Sequence, residues 1–137
     1  MYRYPVHDKR RLSFYSPESM ITAFLSFSLN KNFIDWVVNQ GFKVTYQDTW
    51  KPGEGSVWWS LKKINVSSKG SPDLVDLTLM HELVEVALSQ NITFAYESID
   101  NQKKYEESID KIARQHLKDK EFLDYIKRKL PNEYYKD

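Results

Sequence analysis

The chain has no cysteine, which removes disulfide staples, thiolate metal sites and a cysteine nucleophile together. Any metal must sit on histidine, aspartate or glutamate. Neither sign of charge dominates, since 20 Lys and Arg stand against 19 Asp and Glu for a net charge of +1. No overall field therefore marks a binder of nucleic acid or of an anionic membrane. Long apolar runs are missing too. The greasiest stretch, Met20 to Leu29, is broken by Thr22, Ser26 and Ser28, so no spanning helix is expected. The N-terminal MYRYPVHDKRRL has charge but no apolar segment of the kind a secretory signal carries. The expected location is cytoplasmic, without membrane contact. What remains is ample for a core: 41% of the 137 residues are hydrophobic and 15% aromatic, enough for one packed domain over 1–137 and too few residues for two.

Helix starts are legible first. Ser16-Pro17-Glu18 offers a capping hydroxyl, a proline that needs no amide partner and an acid at the positive end, which predicts a helix to about Leu29. Asn32 reads as a second cap ahead of Phe33, Ile34, Trp36, Val37 and Val38, with Gly41 where a left-handed terminator is usual. From Phe42 the period becomes two: Phe42, Val44, Tyr46 and Trp50 on one face, Lys43, Thr45, Gln47 and Thr49 on the other. Lys51-Pro52-Gly53-Glu54-Gly55 reads as a turn, and Ser56 to Val66 as a returning strand with a bulge near Lys62-Lys63. Residues 42–66 are thus predicted to form an antiparallel hairpin. Ser71-Pro72-Asp73 repeats the helix-start chemistry and predicts a long helix over 72–90. Further helices are expected over 102–117 and, around Phe122, Leu123, Ile126 and Leu130, up to Pro131. The predicted fold class is α+β, a small antiparallel sheet packed against about five helices: N-terminal helices in 1–41, the hairpin, metal-site helices in 72–117, and a C-terminal helix and tail in 118–137.

The helix after Ser71 carries the chemistry. On a wheel of about 100° per residue, Leu74, Leu77, Leu79, Met80, Leu83, Val84, Val86, Ala87 and Leu88 occupy most of the circumference. One narrow polar sector is left, with Thr78, His81, Glu82, Glu85 and Ser89. His81 and Glu85 are one turn apart and Glu82 stands beside them. Two side chains at i and i+4 on a rigid helix can bind one metal ion, and a neighbouring carboxylate can activate water there. The plainer alternative is a solvent-facing sector in which His81 and Glu85 form a weak one-turn pair.

His81-Glu82-Leu83-Val84-Glu85, on a buried helix that follows a strand, resembles the zinc-binding helix of the zincin metallopeptidases, whose pattern is His-Glu-x-x-His. The similarity is closest to the gluzincin branch and its minimal members, in which a Glu on the next helix supplies the third ligand and an Asp one turn later supports the ligand His. Glu106 and Asp110 match that pair. The resemblance covers Ser56 to about Leu117. It implies a zincin-like fold, a metal-dependent hydrolase acting on a peptide or protein, His81, Glu85 and Glu106 as metal ligands, Glu82 as general base and Asp110 orienting His81. It also implies that the strand Ser56 to Val66 is the edge to which an extended peptide adds. The implied ion is Zn²⁺. Glu85 departs from the family, which has its second His there. One nitrogen and two carboxylates favour a harder ion such as Mn²⁺ or Mg²⁺ relative to zinc and make a bound water less acidic, so an inactive zincin-like scaffold is an alternative. Helical phase also leaves open that Asp110 is the third ligand.

Other features carry weaker readings. His116, among Ile109, Ile112 and Ala113, is either an oxyanion or metal imidazole or a core-edge histidine. Tyr96 and Tyr105 flank the candidate ligand helix and could bond a tetrahedral intermediate. His7 to Arg11 beside Tyr2 and Tyr4 could meet phosphates, although Asp8 argues for a solvated terminus. The Lys-rich C-terminal helix reads as a solvated face. Trp50, Trp58 and Trp59 surround the hairpin, and adjacent tryptophans point to opposite faces, one toward the core and one toward a surface or interface. The rival to an enzyme is thus a non-enzymatic interaction or regulatory module that presents the Trp-rich hairpin to a protein partner or to a second copy.

Overall fold

In the computed structural model, residues 10–11, 29–93 and 99–135 are described. They form β1 (Arg10–Arg11), α1 (Lys31–Asn39), β2 (Lys43–Gln47), β3 (Gly55–Trp58), β4 (Lys63–Ser67), α2 (Pro72–Asn91), β5 (Ile92–Thr93), α3 (Ile99–Leu117), α4 (Lys120–Lys129) and β6 (Asn132–Tyr135). The α+β class stands. Four helices lie among the described residues; the helix expected over Ser16–Leu29 falls outside them except for Leu29, as do Tyr2, Tyr4, His7 and Tyr96.

Local chemistry sets each helix start. Asn30, not Asn32, caps α1: its Oδ1 accepts from the Phe33 amide at 3.0 Å. Ser71 Oγ accepts from the Leu74 amide at 3.2 Å, and Asp119 Oδ1 from the Phe122 amide at 3.1 Å, each satisfying a donor that the helix itself leaves open. Past the end of α1, Gly41 takes φ +90° and donates to the Val38 carbonyl at 3.0 Å. That left-handed turn, cheap for glycine, redirects the chain straight into β2.

The sheet corrects the sequence reading. Its order is β3-β4-β2-β6, with β4 and β6 both parallel to β2 and only β3 antiparallel to β4. The predicted hairpin between 42–50 and 56–66 does not form, because the second arm is two strands, β3 and β4, and the one that pairs with β2 is β4, which runs parallel to it. Residues 48–54 are long enough to step across two strand spacings, about 10 Å, whereas the tight reversal is the turn at Trp59–Lys62, closed by the Lys62 amide on the Trp59 carbonyl at 3.2 Å. Lys62 sits there at φ 55°, so the phase break read as a bulge is a true turn. The edge strand is therefore Gly55–Trp58 alone, while Lys63–Ser67 is paired on both sides. β6, in residues read as tail, supplies the opposite edge.

Alternation gives the sheet two different faces. Val44, Ile64 and Val66 lie at 2% exposure or less and join Phe42, Leu79, Met80, Leu83 and Ile126 in one core. α2 packs across β3 and β4, and α3 against α2. The opposite face is polar: Asn65 Oδ1 accepts from Thr45 Oγ1 and, at 3.2 Å, from Gln47 Nε2, while Asn65 Nδ2 reaches Ser56 Oγ at 3.5 Å. Thr45 and Asn65 are fully buried, so these bonds offset the cost of taking their polar atoms out of water.

Candidate metal centre

Because α2 packs on the sheet with one side and on α3 with another, its polar sector is not a solvent face. Thr78 and Glu82 are each 5% exposed, and His81 and Glu85 are half-buried. Thr78 donates its hydroxyl to the Leu74 carbonyl at 2.8 Å, which settles its own polar group inside the helix. His81, Glu82 and Glu85 are left facing a cleft of about 660 Å³, closed by Gly55 to Val57 of β3 on one side and by Glu106, Asp110 and Arg114 of α3 on the other.

Carboxylates meet both nitrogens of the His81 ring. Nε2 is 3.3 Å from Glu106 Oε2, and Nδ1 is 3.4 Å from Glu82 Oε2 and 3.9 Å from Glu85 Oε1. One ligand atom from each of His81, Glu85 and Glu106 lies within 4.8 Å of the others, close to the spread that one ion with bonds of about 2.0–2.2 Å can bridge. Burial by itself lowers the His81 pKa, but hydrogen bonds to Glu106 and Glu82 and the nearby carboxylate charges outweigh it and hold the imidazole above its ordinary value. Burial, then the charges of Glu82 and Glu106, push Glu85 above the usual carboxylate range, with His81 pulling the other way. The cluster holds more negative charge than its own histidine offsets.

Glu82 is the most informative of the group. Its Oε1 is buried without a hydrogen-bond partner, an arrangement that costs about 1–3 kcal/mol where nothing answers it. The carboxylate is wedged against β3, where a Cβ built on Gly55 would stand 3.0 Å from Glu82 Cγ and Oε2 and from Thr78 Cγ2. Nitrogen and oxygen donors converging beside an unanswered buried oxygen fit a divalent cation.

The structure brings together His81, Glu82 and Glu85, which helical spacing gathered, and Glu106, which the resemblance implied. Asp110 lines the same cleft, but its carboxylate takes Arg114 Nε at 2.8 Å, so its ionic partner is Arg114 rather than His81. Gly55, read from the sequence only as a turn residue, and Arg114, not singled out there, both line the cleft. Arg114 stands at i+4 from Asp110 and i+8 from Glu106, a spacing that helical phase alone could have revealed. His116 lies elsewhere, tilted on Phe122 at 5.8 Å, which matches the core-edge reading. Trp59 packs edge-on against Phe42 at 5.7 Å, whereas Trp58 is 44% exposed, so the pair divides between core and surface. In the C-terminal helix Lys127 pairs with Asp76 at 2.9 Å, and Arg128 and Lys129 lie over the Tyr125 ring.

No family model, curated protein or solved structure compared with the chain matches it. Among the described residues no helix is long and apolar enough to cross a membrane.

Proposed function

We propose that the chain is a zincin-like metal-dependent hydrolase whose ion is held by His81, Glu85 and Glu106, with Glu82 as general base toward a peptide bond. The observation that carries this reading is the convergence of those three ligand atoms within 4.8 Å beside the buried, unanswered Oε1 of Glu82. A bound divalent ion supplies Lewis acidity toward a carbonyl oxygen and makes water more acidic. Glu82 takes a proton from the attacking water as its oxygen bonds to the carbonyl carbon, then returns it to the departing nitrogen as the C–N bond breaks. The products are one carboxylic acid and one amine, between which the remaining proton of the water passes to give carboxylate and ammonium. β3, which pairs on its outer edge with no strand among the described residues, offers backbone groups to an extended chain. Zn²⁺ follows from the resemblance, and Mn²⁺ from the carboxylate-rich donor set.

The test is calorimetric titration of the full chain with Zn²⁺ and with Mn²⁺, beside His81→Ala and Glu82→Gln. Stoichiometric uptake lost in His81→Ala, together with peptide cleavage lost in a Glu82→Gln chain that keeps its metal, supports the reading. No uptake by any of the three chains rejects it.

A second reading rests on Trp58 and Leu61, exposed by 44% and 56% beside the β3–β4 turn. They form an apolar knob suited to a protein partner or a second copy. Sedimentation of the chain and of Trp58→Ala tests the second-copy form of this reading, which fails if both remain monomeric at every concentration.

A further inference from the structure

Among the described residues, five carboxylates, those of Glu54, Glu82, Glu85, Glu106 and Asp110, line the metal cleft, and Arg114 is the one lysine or arginine there. A lone guanidinium in such a place is conspicuous for how it is held. Asp110 binds it through Nε at 2.8 Å, and no hydrogen bond to another described residue uses the terminal Nη groups, while the side chain stays 63% exposed. A carboxylate on Nε restrains the group and leaves its end-on pair of Nη1 and Nη2 donors turned away from it, a pre-ordered fork for a second carboxylate.

Helix geometry sets the distance. Asp110 lies four residues beyond Glu106, about 6 Å along the axis, and long side chains lean back toward the helix N-terminus. The guanidinium held at Asp110 is thereby roughly two extended residues, at about 3.3 Å each, from the ligand cluster.

We propose that Arg114 is a specificity residue that receives a carboxylate of the substrate about two residues from the scissile bond, with Asp110 as its positioning residue. This rests on the metal-centre reading above. The carboxylate comes either from a peptide's C-terminus or from an acidic side chain, and both sources present the same planar pair of oxygens. Around it the acidic lining repels an anion placed anywhere else, so Arg114 fixes register as well as affinity.

The experiment uses the full chain loaded with Zn²⁺ or Mn²⁺ and three probes: acetyl-tetraalanine as free acid, its C-terminal amide, and the amide with an internal aspartate. Binding is measured for the natural sequence, Arg114→Gln and Arg114→Lys, and metal affinity is measured alongside. The expected result is at least one carboxylate-bearing probe bound about tenfold more tightly than the plain amide. That preference is lost in Arg114→Gln and only partly kept in Arg114→Lys, at unchanged metal affinity. A preference for the free acid assigns the C-terminus, and one for the aspartate peptide assigns the side chain. Metal-loaded protein that binds all three probes equally, or none, overturns the role of Arg114 while the metal centre stands. A chain that takes up no metal overturns the reading beneath it.

Discussion

Glu82 lies so close to Gly55 that a methyl group there would crowd it: a Cβ would be 3.0 Å from two Glu82 atoms and from Thr78 Cγ2, and those atoms would have to give way by a few tenths of an ångström. Gly55 belongs to the edge strand and Glu82 to the buried helix, so this one contact sets how tightly the cleft closes. Gly55→Ala is expected to lower stability by about 1–3 kcal/mol, as overpacking of a tight site does, and to weaken metal binding by moving Glu82. Adding Thr78→Ser removes one of the crowded atoms and should recover part of the stability in urea unfolding. Equal stability of Gly55→Ala and the natural chain would show that the strand can move aside freely.

Asn65 joins Thr45, Gln47 and Ser56 on the far face of the sheet. Replacing it by Ala leaves the fully buried Thr45 hydroxyl without that acceptor, a loss of about 1–3 kcal/mol. The double change Asn65→Ala with Thr45→Val should cost less than the sum of the two single changes, because neither polar partner is then stranded. Chemical denaturation of the four chains measures this coupling, and strictly additive losses would refute it.

Much of this structure is legible in the sequence where the determinants are local. Ser71 caps the long helix at the residue expected, and helical spacing alone gathered His81, Glu82 and Glu85 into one sector. What that spacing cannot tell is what covers the sector; the burial of Glu82 depends on β3 and α3, which are distant in the chain. The sheet failed for the same reason. Pro52-Gly53 carries every mark of a hairpin turn, yet those residues span the width of an intervening strand, and β2 pairs with β4 and β6 through contacts that leave no short-range trace. Asp110 shows a subtler limit, since its phase on α3 was correct while phase alone does not decide between His81 across the cleft and Arg114 one turn on.

Burial lowers the His116 pKa below its ordinary value, against the opposing charge of Asp119. Below about pH 6.5 the unfolded chain gains a proton that the folded ring resists. The sign follows: this contribution is fully present above the unfolded pKa and shrinks as pH falls, until the folded ring is protonated as well. His116→Gln should therefore lose less stability than the natural chain between pH 7.5 and about pH 5. Urea midpoints across that range give the comparison, and parallel curves would contradict the buried neutral imidazole.

Glu85 sets which ion the centre prefers. With Glu85 and Glu106 both contributing oxygen, His81 is the one nitrogen in the triad, and hard ions such as Mn²⁺ compete better than they would at two imidazoles. Glu85→His exchanges an anionic oxygen for a neutral nitrogen and also removes a carboxylate that Glu82 and Glu106 repel. Both changes favour Zn²⁺ over Mn²⁺, and the ratio of their affinities should rise by about tenfold or more. Competition titration of the two chains under identical buffer reads that ratio directly. An unchanged ratio would mean that Glu85 does not touch the ion, and would move the third ligand to Glu82 or Asp110.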